Sequence, residues 1–212
     1  MNRIYAIGDI HGCYDRLRRL LDRIDIRWSD DTLILLGDYI DRGHQSFEVV
    51  DFLISLKEQH PETIFLKGNH EAMLLDFLSG VRTLTYVYNG GQQTIDSYYR
   101  HAPGVEQLIF PKEHLDFINS LVLCHETEDY IFVHAGLRSG VPLDAQSTED
   151  LLWIREPFIN TPNDSGKRVI FGHTPFPEPL VQPDKIGIDT GAVYGNRLTC
   201  VRLPDQTFFS DE

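Results

Sequence analysis

The sequence predicts an α/β (α+β) fold in which two β-sheets stack face to face and helices cover the outer surfaces, an αββα sandwich with a small helical insert. Three observations lead there. The first third of the chain alternates short apolar runs with amphipathic helical stretches. The last part holds several short strand-like runs separated by polar turns, and the stretch between the two has no clean strand.

The elements follow in order. Arg3–Gly8 is an apolar run that stops at Gly8-Asp9, and Cys13–Ile26 then carries Leu17, Leu20, Leu21 and Ile24 on one helical face with arginines on the other. Thr32–Gly37 is a second strand ending in Gly37-Asp38, and Phe47–His60 repeats the helical period through Val50, Leu53, Ile54 and Leu56. Thr63–Gly68 is a third strand ending in Gly68-Asn69, with a helix over Glu71–Leu78 behind it. This βαβαβα order predicts a sheet that is at least partly parallel. From Gly80 to about Leu121 a turn at Asn89-Gly90-Gly91 and two short helices, around Thr94–Arg100 and Lys112–Ser120, read as an insert over about 80–120 within a single domain, 1–212. The runs Leu121–His125, Tyr130–Val133, Arg168–Phe171, Lys185–Ile188 and Leu198–Leu203 have period-2 character and predict antiparallel strands forming a second sheet; Asn160–Lys167 is a loop.

A chain of 212 residues can bury one continuous core without disulfide or zinc staples. With 42% hydrophobic and 24% charged residues it is expected to be a globular protein, which excludes wholesale disorder and a collagenous chain. Its net charge of −13 repels nucleic-acid phosphates and anionic lipid, so nucleic-acid and membrane partners are not expected. An acidic chain that handles a phosphate must focus positive charge locally, which directs attention to metal ions. The apolar runs fall short of a membrane span, and the opening Met1–Gly8 breaks at glycine before a signal-peptide core could form. Cys13, Cys124 and Cys200 make neither a disulfide framework nor a thiolate metal site, and the expected compartment is the cytoplasm.

Five turns carry the chemistry. In each, an apolar run stops and metal-ligand residue types follow, often beside glycine: Gly8-Asp9-Ile10-His11-Gly12, Gly37-Asp38-Tyr39-Ile40-Asp41-Arg42-Gly43, Gly68-Asn69-His70-Glu71, Phe132-Val133-His134-Ala135-Gly136 and Phe171-Gly172-His173-Thr174. Strand C-termini are where open α/β sheets place ligands. Carboxylate, imidazole and amide oxygen together suit Mn, Fe or Zn. Taken singly, Gly8-Asp9 could cap a helix and Asn69-His70-Glu71 could start one; the five turns together fit two metal sites. His44, His60, His101, His114 and His125, by contrast, read as surface or satisfied core residues. Competing motifs fail: Leu74 stands where a zincin needs its second histidine, and no P-loop, G-x-S-x-G or G-x-G-x-x-G is present.

These segments resemble the PPP family of metallophosphatases, most of all its small bacterial and phage Ser/Thr protein phosphatases. The resemblance extends through Asn89-Gly90-Gly91, Leu152-Trp153-Ile154-Arg155, Phe171–Pro175 and Ile188-Asp189-Thr190-Gly191-Ala192-Val193, and so covers nearly the whole chain. It departs only mildly, at Tyr39-Ile40, His44 and Tyr194-Gly195-Asn196. It implies the calcineurin-like metallophosphoesterase sandwich and a dinuclear centre of two divalent metal ions, Mn foremost, with Fe or Zn as alternatives. Asp9, His11 and Asp38 would hold the first metal, and Asp38, Asn69, His134 and His173 the second, with Asp38 bridging. Two such ions about 3.5–4 Å apart can share a hydroxide of lowered pKa and neutralise a phosphate dianion. Arg42 and Arg155 would grip phosphate oxygens, with Asn69 and His70 also lining the substrate. His70 would act as general acid with Asp41 orienting it, and the hydroxide would attack in line without a phosphoenzyme.

The activity so implied is hydrolysis of phosphate monoesters, with a phosphorylated protein or a small phosphomonoester as substrate and phosphoserine and phosphothreonine foremost. The rival is a symmetrical diadenosine-tetraphosphate hydrolase, a neighbouring branch whose pattern departs from Asp-Arg-Gly and carries Asp after Gly-Asn-His; Asp41-Arg42-Gly43 and Glu71 favour the monoesterase. A catalytically inactive binding module would lack a ligand, an arginine or the histidine, and none is missing. Specificity is expected in the insert, the loop Ser139–Thr148 and His44.

Overall fold

The computed structural model describes residues 3–212 apart from Val105 and Gln107; Met1 and Asn2 of the opening segment lie outside the described residues. Strand β1 (Ile4–Ile7), helix α1 (Tyr14–Arg23), strand β2 (Thr32–Leu35), helix α2 (Ser46–Gln59), strand β3 (Ile64–Phe65) and helix α3 (Asn69–Leu78) form the expected βαβαβα run, with β1, β2 and β3 parallel. Helix α1 stops short of the predicted end. Ile24 turns to an extended conformation, and the next carbonyl, Asp25, is taken by Arg3 Nη2 (2.7 Å) and the Tyr5 hydroxyl (2.8 Å) instead of by a further helical turn. Helix α3 begins two residues earlier than predicted, at Asn69, because the Glu71 carboxylate reaches back to accept the Gly68 N–H at 2.9 Å.

The insert holds α4 (Thr83–Tyr86), α5 (Gln92–His101) and α6 (Lys112–Asn119). The predicted turn at Asn89-Gly90-Gly91 is instead part of a wide π-type turn, Val87–Gly91, that runs into α5 and is kinked at Gly90 (φ 101°). That kink lets the Gly90 carbonyl accept the Arg42 N–H at 3.0 Å; a side chain at Gly90 would stand 2.6 Å from Arg42 Cγ. The insert therefore rests against the second ligand-bearing turn.

After the insert come β4 (Cys124–Glu126), β5 (Tyr130–Val133), α7 (Thr148–Trp153), α8 (Glu156–Ile159), β6 (Arg168–Phe171), β7 (Leu180–Val181), β8 (Lys185–Gly187), β9 (Thr199–Leu203) and β10 (Thr207–Ser210). The sheets run β10-β9-β1-β2-β3 and β4-β5-β6-β8-β7. Three expectations are corrected here. The second sheet is antiparallel only at its edges, since β5, β6 and β8 are parallel neighbours. Val169, Ile170 and Phe171 of β6 are all buried, the continuous burial of a parallel strand covered on both faces; such short runs do not separate it from alternation. The run Leu198–Leu203 belongs to the first sheet, where β9 pairs antiparallel with β1. The predicted strand Leu121–His125 is divided between the sheets: Val122 bridges to Leu66, whereas Cys124 and His125 pair with β5.

Side chains alternate between the two buried faces along the strands, as a covered sandwich requires. Ala6, Ile34, Phe132, Ile170, Ile186 and Val201 interlock between the sheets. Tyr5, Ile7, Leu33 and Leu35 face α1 and α2, and Ile131, Val133, Val169 and Phe171 pack under α7 and α8. Each of the Val, Leu, Ile and Phe side chains among them contributes roughly 1.5–3 kcal/mol by leaving water. With both faces covered, the strand ends of the two sheets come together at one edge.

Candidate metal centre

The parallel strands deliver the site. Asp9 follows β1, Asp38 follows β2, Asn69 opens α3 after β3, His134 follows β5, His173 follows β6 and Asp189 follows β8. All six side chains are buried. The backbone turns sharply to aim them: His11, Asp38, Asp41, Arg42 and His173 all adopt positive φ, between 46° and 72°. Non-glycine residues held in this region cost of order 1 kcal/mol or more each. Compensation comes from fixed hydrogen bonds. The Asp38 carbonyl accepts from Ile10 and His11, and the Glu71 carboxylate accepts from the N–H groups of Asp38 (3.0 Å), Tyr39 (2.8 Å) and Gly68 (2.9 Å).

Asp38 stands at the centre. Its Oδ2 is 3.5 Å from His11 Nε2 and 3.9 Å from His70 Nε2, and its Oδ1 is 3.5 Å from His134 Nε2. Asn69 Oδ1 lies 3.0 Å from His134 Nε2 and 2.9 Å from His173 Nδ1. Donor atoms converge in two groups, His11/Asp38/His70 and Asp38/His134/His173, joined through Asp38. Asp9 is in neither group: its two oxygens accept the His173 N–H at 3.1 and 3.0 Å, tying the first sheet's turn to the second's. His11 Nδ1 and His134 Nδ1 each face a backbone carbonyl, Ile40 and Leu36, at 2.9 Å, which fixes the tautomer that leaves Nε2 as a lone pair toward the centre.

The electrostatics fit a pair of cations. Burial pushes the His11 imidazole down to about 3 and that of His173 to about 2, and it also lowers His134, so these rings are neutral and able to ligate. Burial raises the Asp9 carboxyl well above its ordinary range, with Asp189 and Asp38 adding repulsion; burial likewise lifts Asp189 to about 6. The buried Asp9 and Asp189 carboxyl groups, whose charges burial opposes, together with Asp38, the neutral imidazoles and a buried His173 Nε2 without a hydrogen-bond partner, are the oxygen and nitrogen donor set that two divalent cations take. Two glycines admit the carboxylates. A Cβ on Gly68 would stand 2.1 Å from Asp38 Oδ1, and one on Gly172 2.1 Å from Asp9 Oδ1.

Around this centre, His70 Nδ1 meets Asp41 Oδ2 at 2.7 Å, and its Nε2 is buried without a partner. Burial alone would lower the His70 pKa, but Asp38 and the hydrogen-bonded Asp41 outweigh it and raise the value. Arg42 Nη1 lies 2.6 Å from His11 Nε2 and its guanidinium faces the Tyr194 ring at 5.6 Å. Arg155 Nη1 donates to Thr174 Oγ1 at 3.4 Å, in the turn that bears His173.

The structure thus brings Asp9, His11, Asp38, Asp41, Arg42, Asn69, His70, His134 and His173 to one edge, with Arg155 at the His173 turn. Of the histidines set aside, His60 stacks on Trp28 (3.6 Å), His101 stacks on Phe47 (3.9 Å) and His114 Nδ1 meets the Tyr98 hydroxyl (2.8 Å). Asp189 was not among the candidate site residues, although Ile188-Asp189 has the same signature of an apolar run closed by an acid. Tyr86 and Thr94, which hold Asp41, carry no such signal. Among the described residues no helix is long and apolar enough to cross a membrane.

A profile of the calcineurin-like phosphoesterase family matches residues 2–201. The chain is 31% identical over 205 residues to serine/threonine-protein phosphatase 1 of Salmonella typhimurium, covering 94% of this chain and 91% of that protein. It is 28% identical over 228 residues to the asymmetrical bis(5'-nucleosyl)-tetraphosphatase PrpE of Geobacillus sp., covering 96% and 91%. A crystal structure described as that of a candidate diadenosine tetraphosphatase superposes with a TM-score of 0.76 at 25% identity, covering 99% of this chain and 92% of that one. The cold-active protein-tyrosine phosphatase of a Shewanella species shares the fold, with a TM-score of 0.71 at 20% identity and coverage of 100% and 81%.

Proposed function

The chain belongs to the calcineurin-like phosphoesterase family, and on that premise we propose that it hydrolyses phosphate monoesters, foremost phosphoserine and phosphothreonine residues of proteins. Two divalent cations held by Asp9, His11, Asp38, Asn69, His134 and His173 would supply a nucleophile at neutral pH and offset phosphate charge. Everything else is done by the chain itself. Arg42 and Arg155 offer planar guanidinium forks to phosphate oxygens. His70 carries the proton for the leaving oxygen on Nε2, while Asp41 fixes Nδ1 and favours the charged ring. The buried His70–Asp41 pair is the observation that carries the reading: an alkoxide leaving from serine or threonine requires a proton, and an imidazole held by a carboxylate beside the ligand cluster is suited to give it.

A second reading is hydrolysis of a dinucleoside polyphosphate. The observation that favours it is the exposed Tyr194 ring against Arg42, a face on which a nucleobase can rest. The nucleotide-hydrolysing relative is described as asymmetrical rather than of the symmetrical type that the sequence raised as the rival. Turnover of phosphoserine peptide, phosphotyrosine peptide and diadenosine tetraphosphate, measured in parallel with added Mn²⁺ at one salt concentration, separates the readings. We expect the highest kcat/KM on phosphoserine peptide. A tenfold advantage for the dinucleotide, about 1.4 kcal/mol of transition-state preference, establishes the second reading instead.

A further inference from the structure

Beside Arg42 lies an open cleft of about 470 Å³, walled by the start of α1, the turn after β2 and the segment after β8. Arg16, Arg19 and Arg42 line it together with His44, and Asp15 is the single carboxylate among its lining residues. Arg16 and Arg19 both reach the same buried carboxylate, Asp211, each at 3.2 Å. Three guanidinium groups, those of Arg16, Arg19 and Arg42, against the two carboxylates of Asp15 and Asp211 leave one positive charge in formal surplus, and the Arg19 side chain is 54% exposed, so it retains N–H donors that face solvent. In a chain of net charge −13 this is a local concentration of the opposite sign. Arg42 belongs to both spaces: it lines the cleft and it also reaches His11 in the ligand cluster.

We propose that this cleft is a subsite for a second phosphate group carried by the substrate, next to the phosphate that is hydrolysed. The inference rests on the phosphoester-hydrolase reading above and deepens it: among its substrates, those bearing a second phosphate bind more tightly. Tetrahedral oxyanions meet guanidinium forks in pairs of charge-assisted hydrogen bonds, so two arginines beyond Arg42 suit a phosphate rather than a neutral group. The second phosphate has two sources with the same chemistry, a neighbouring phosphoresidue in a peptide or the next phosphate of a polyphosphate chain.

The test uses the Mn²⁺-loaded protein at fixed free Mn²⁺, with Arg16→Gln, Arg19→Gln and Arg16→Lys. Each glutamine variant leaves one arginine on Asp211, and thermal melting verifies folding. Inhibition of p-nitrophenyl phosphate turnover by tripolyphosphate and by orthophosphate forms one arm; turnover of singly against doubly phosphorylated serine peptides forms the other. We expect the glutamine variants to weaken tripolyphosphate inhibition, or raise KM for the doubly phosphorylated peptide, by roughly tenfold. Turnover of p-nitrophenyl phosphate and inhibition by orthophosphate stay unchanged, and Arg16→Lys restores most of the loss. The arm that responds identifies the source. If neither arm separates the glutamine variants from the parent protein, the subsite is overturned while the hydrolase reading stands. If p-nitrophenyl phosphate is not turned over, the hydrolase reading fails, and calorimetric titration with tripolyphosphate decides the cleft: binding weakened by Arg19→Gln supports it, and equal or absent binding overturns it.

Discussion

His70 Nδ1 lies 2.7 Å from Asp41 Oδ2, and the other oxygen of Asp41 accepts from the Tyr86 hydroxyl at 2.8 Å and from Thr94 Oγ1 at 2.6 Å. The carboxylate that orients the proposed acid is thus itself held by the helical insert. Asp41, His70 and Thr94 are fully buried, so the ring is packed and hydrogen-bonded in place beside the ligand cluster. The insert therefore supports the geometry proposed for the acid, in addition to any part it takes in specificity.

Replacing His70 by Asn should lower kcat by roughly 10²–10⁴-fold on an alkyl phosphate, the ordinary contribution of a general acid. The loss should be smaller on p-nitrophenyl phosphate, whose leaving group needs little protonation, and metal content should not fall. Equal slowing of both substrates removes the acid assignment.

Tyr86→Phe and Thr94→Val each delete one donor to a buried carboxylate. We expect about a fivefold fall in kcat from each, the effect of about 1 kcal/mol, with KM unchanged because neither residue reaches the substrate. Stopped or continuous assays of kcat and KM check this, and a rise in KM alone contradicts a positioning role.

Metal removal should abolish activity, and added Mn²⁺ should restore it. Asp38→Asn should be the most damaging ligand substitution, because Asp38 alone is common to both groups of converging donors. Elemental analysis alongside activity is the measurement; full activity without a bound divalent metal contradicts the proposed centre.

Much of this site was legible in the sequence because its residues end strands. An apolar run closed by Gly-Asp, Gly-Asn or His beside Gly marks a strand terminus whatever the partner strands are, and the parallel order then gathers those termini at one edge. Strand direction in the second sheet was not legible, because runs of three or four residues buried on both faces look alike in either sense. The contacts of Tyr86 and Thr94 with Asp41 were hidden for another reason. They join segments 45 and 53 residues apart through the insert's packing, and no local pattern records such a pairing. Ile188-Asp189 obeys the same strand-end rule.

Gly68 and Gly172 supply a steric test. A Cβ at either position would stand 2.1 Å from a carboxylate oxygen, of Asp38 in one case and of Asp9 in the other. Gly68→Ala and Gly172→Ala should each weaken Mn²⁺ affinity at least tenfold, roughly the effect of misplacing one ligand, with the fold retained by circular dichroism. Unchanged affinity shows that the carboxylates can retreat without cost.

The last expectation concerns stability, far from the site. Asp31 has a buried side chain whose oxygens accept from Arg3 Nε at 3.1 and 3.0 Å, from the Arg3 N–H at 3.1 Å and from the Arg27 N–H at 2.8 Å. The hydrogen bonds from Arg3 hold the carboxyl well below the ordinary carboxylate range. The folded protein therefore binds this proton less readily than the unfolded chain does. Its stabilising contribution is fully present above the unfolded value of about 4 and is lost as pH falls toward the folded value. Asp31→Asn should destabilise the protein at pH 7 by about 2 kcal/mol, since Arg3 and two backbone N–H groups lose a charged acceptor. It should also flatten the fall in stability between about pH 5 and pH 2 by close to one proton. Urea unfolding of parent and variant across that range, both free of metal, gives the two slopes. Parallel curves mean that Asp31 titrates alike in the folded and unfolded chain, and the pairing with Arg3 then contributes nothing to acid sensitivity.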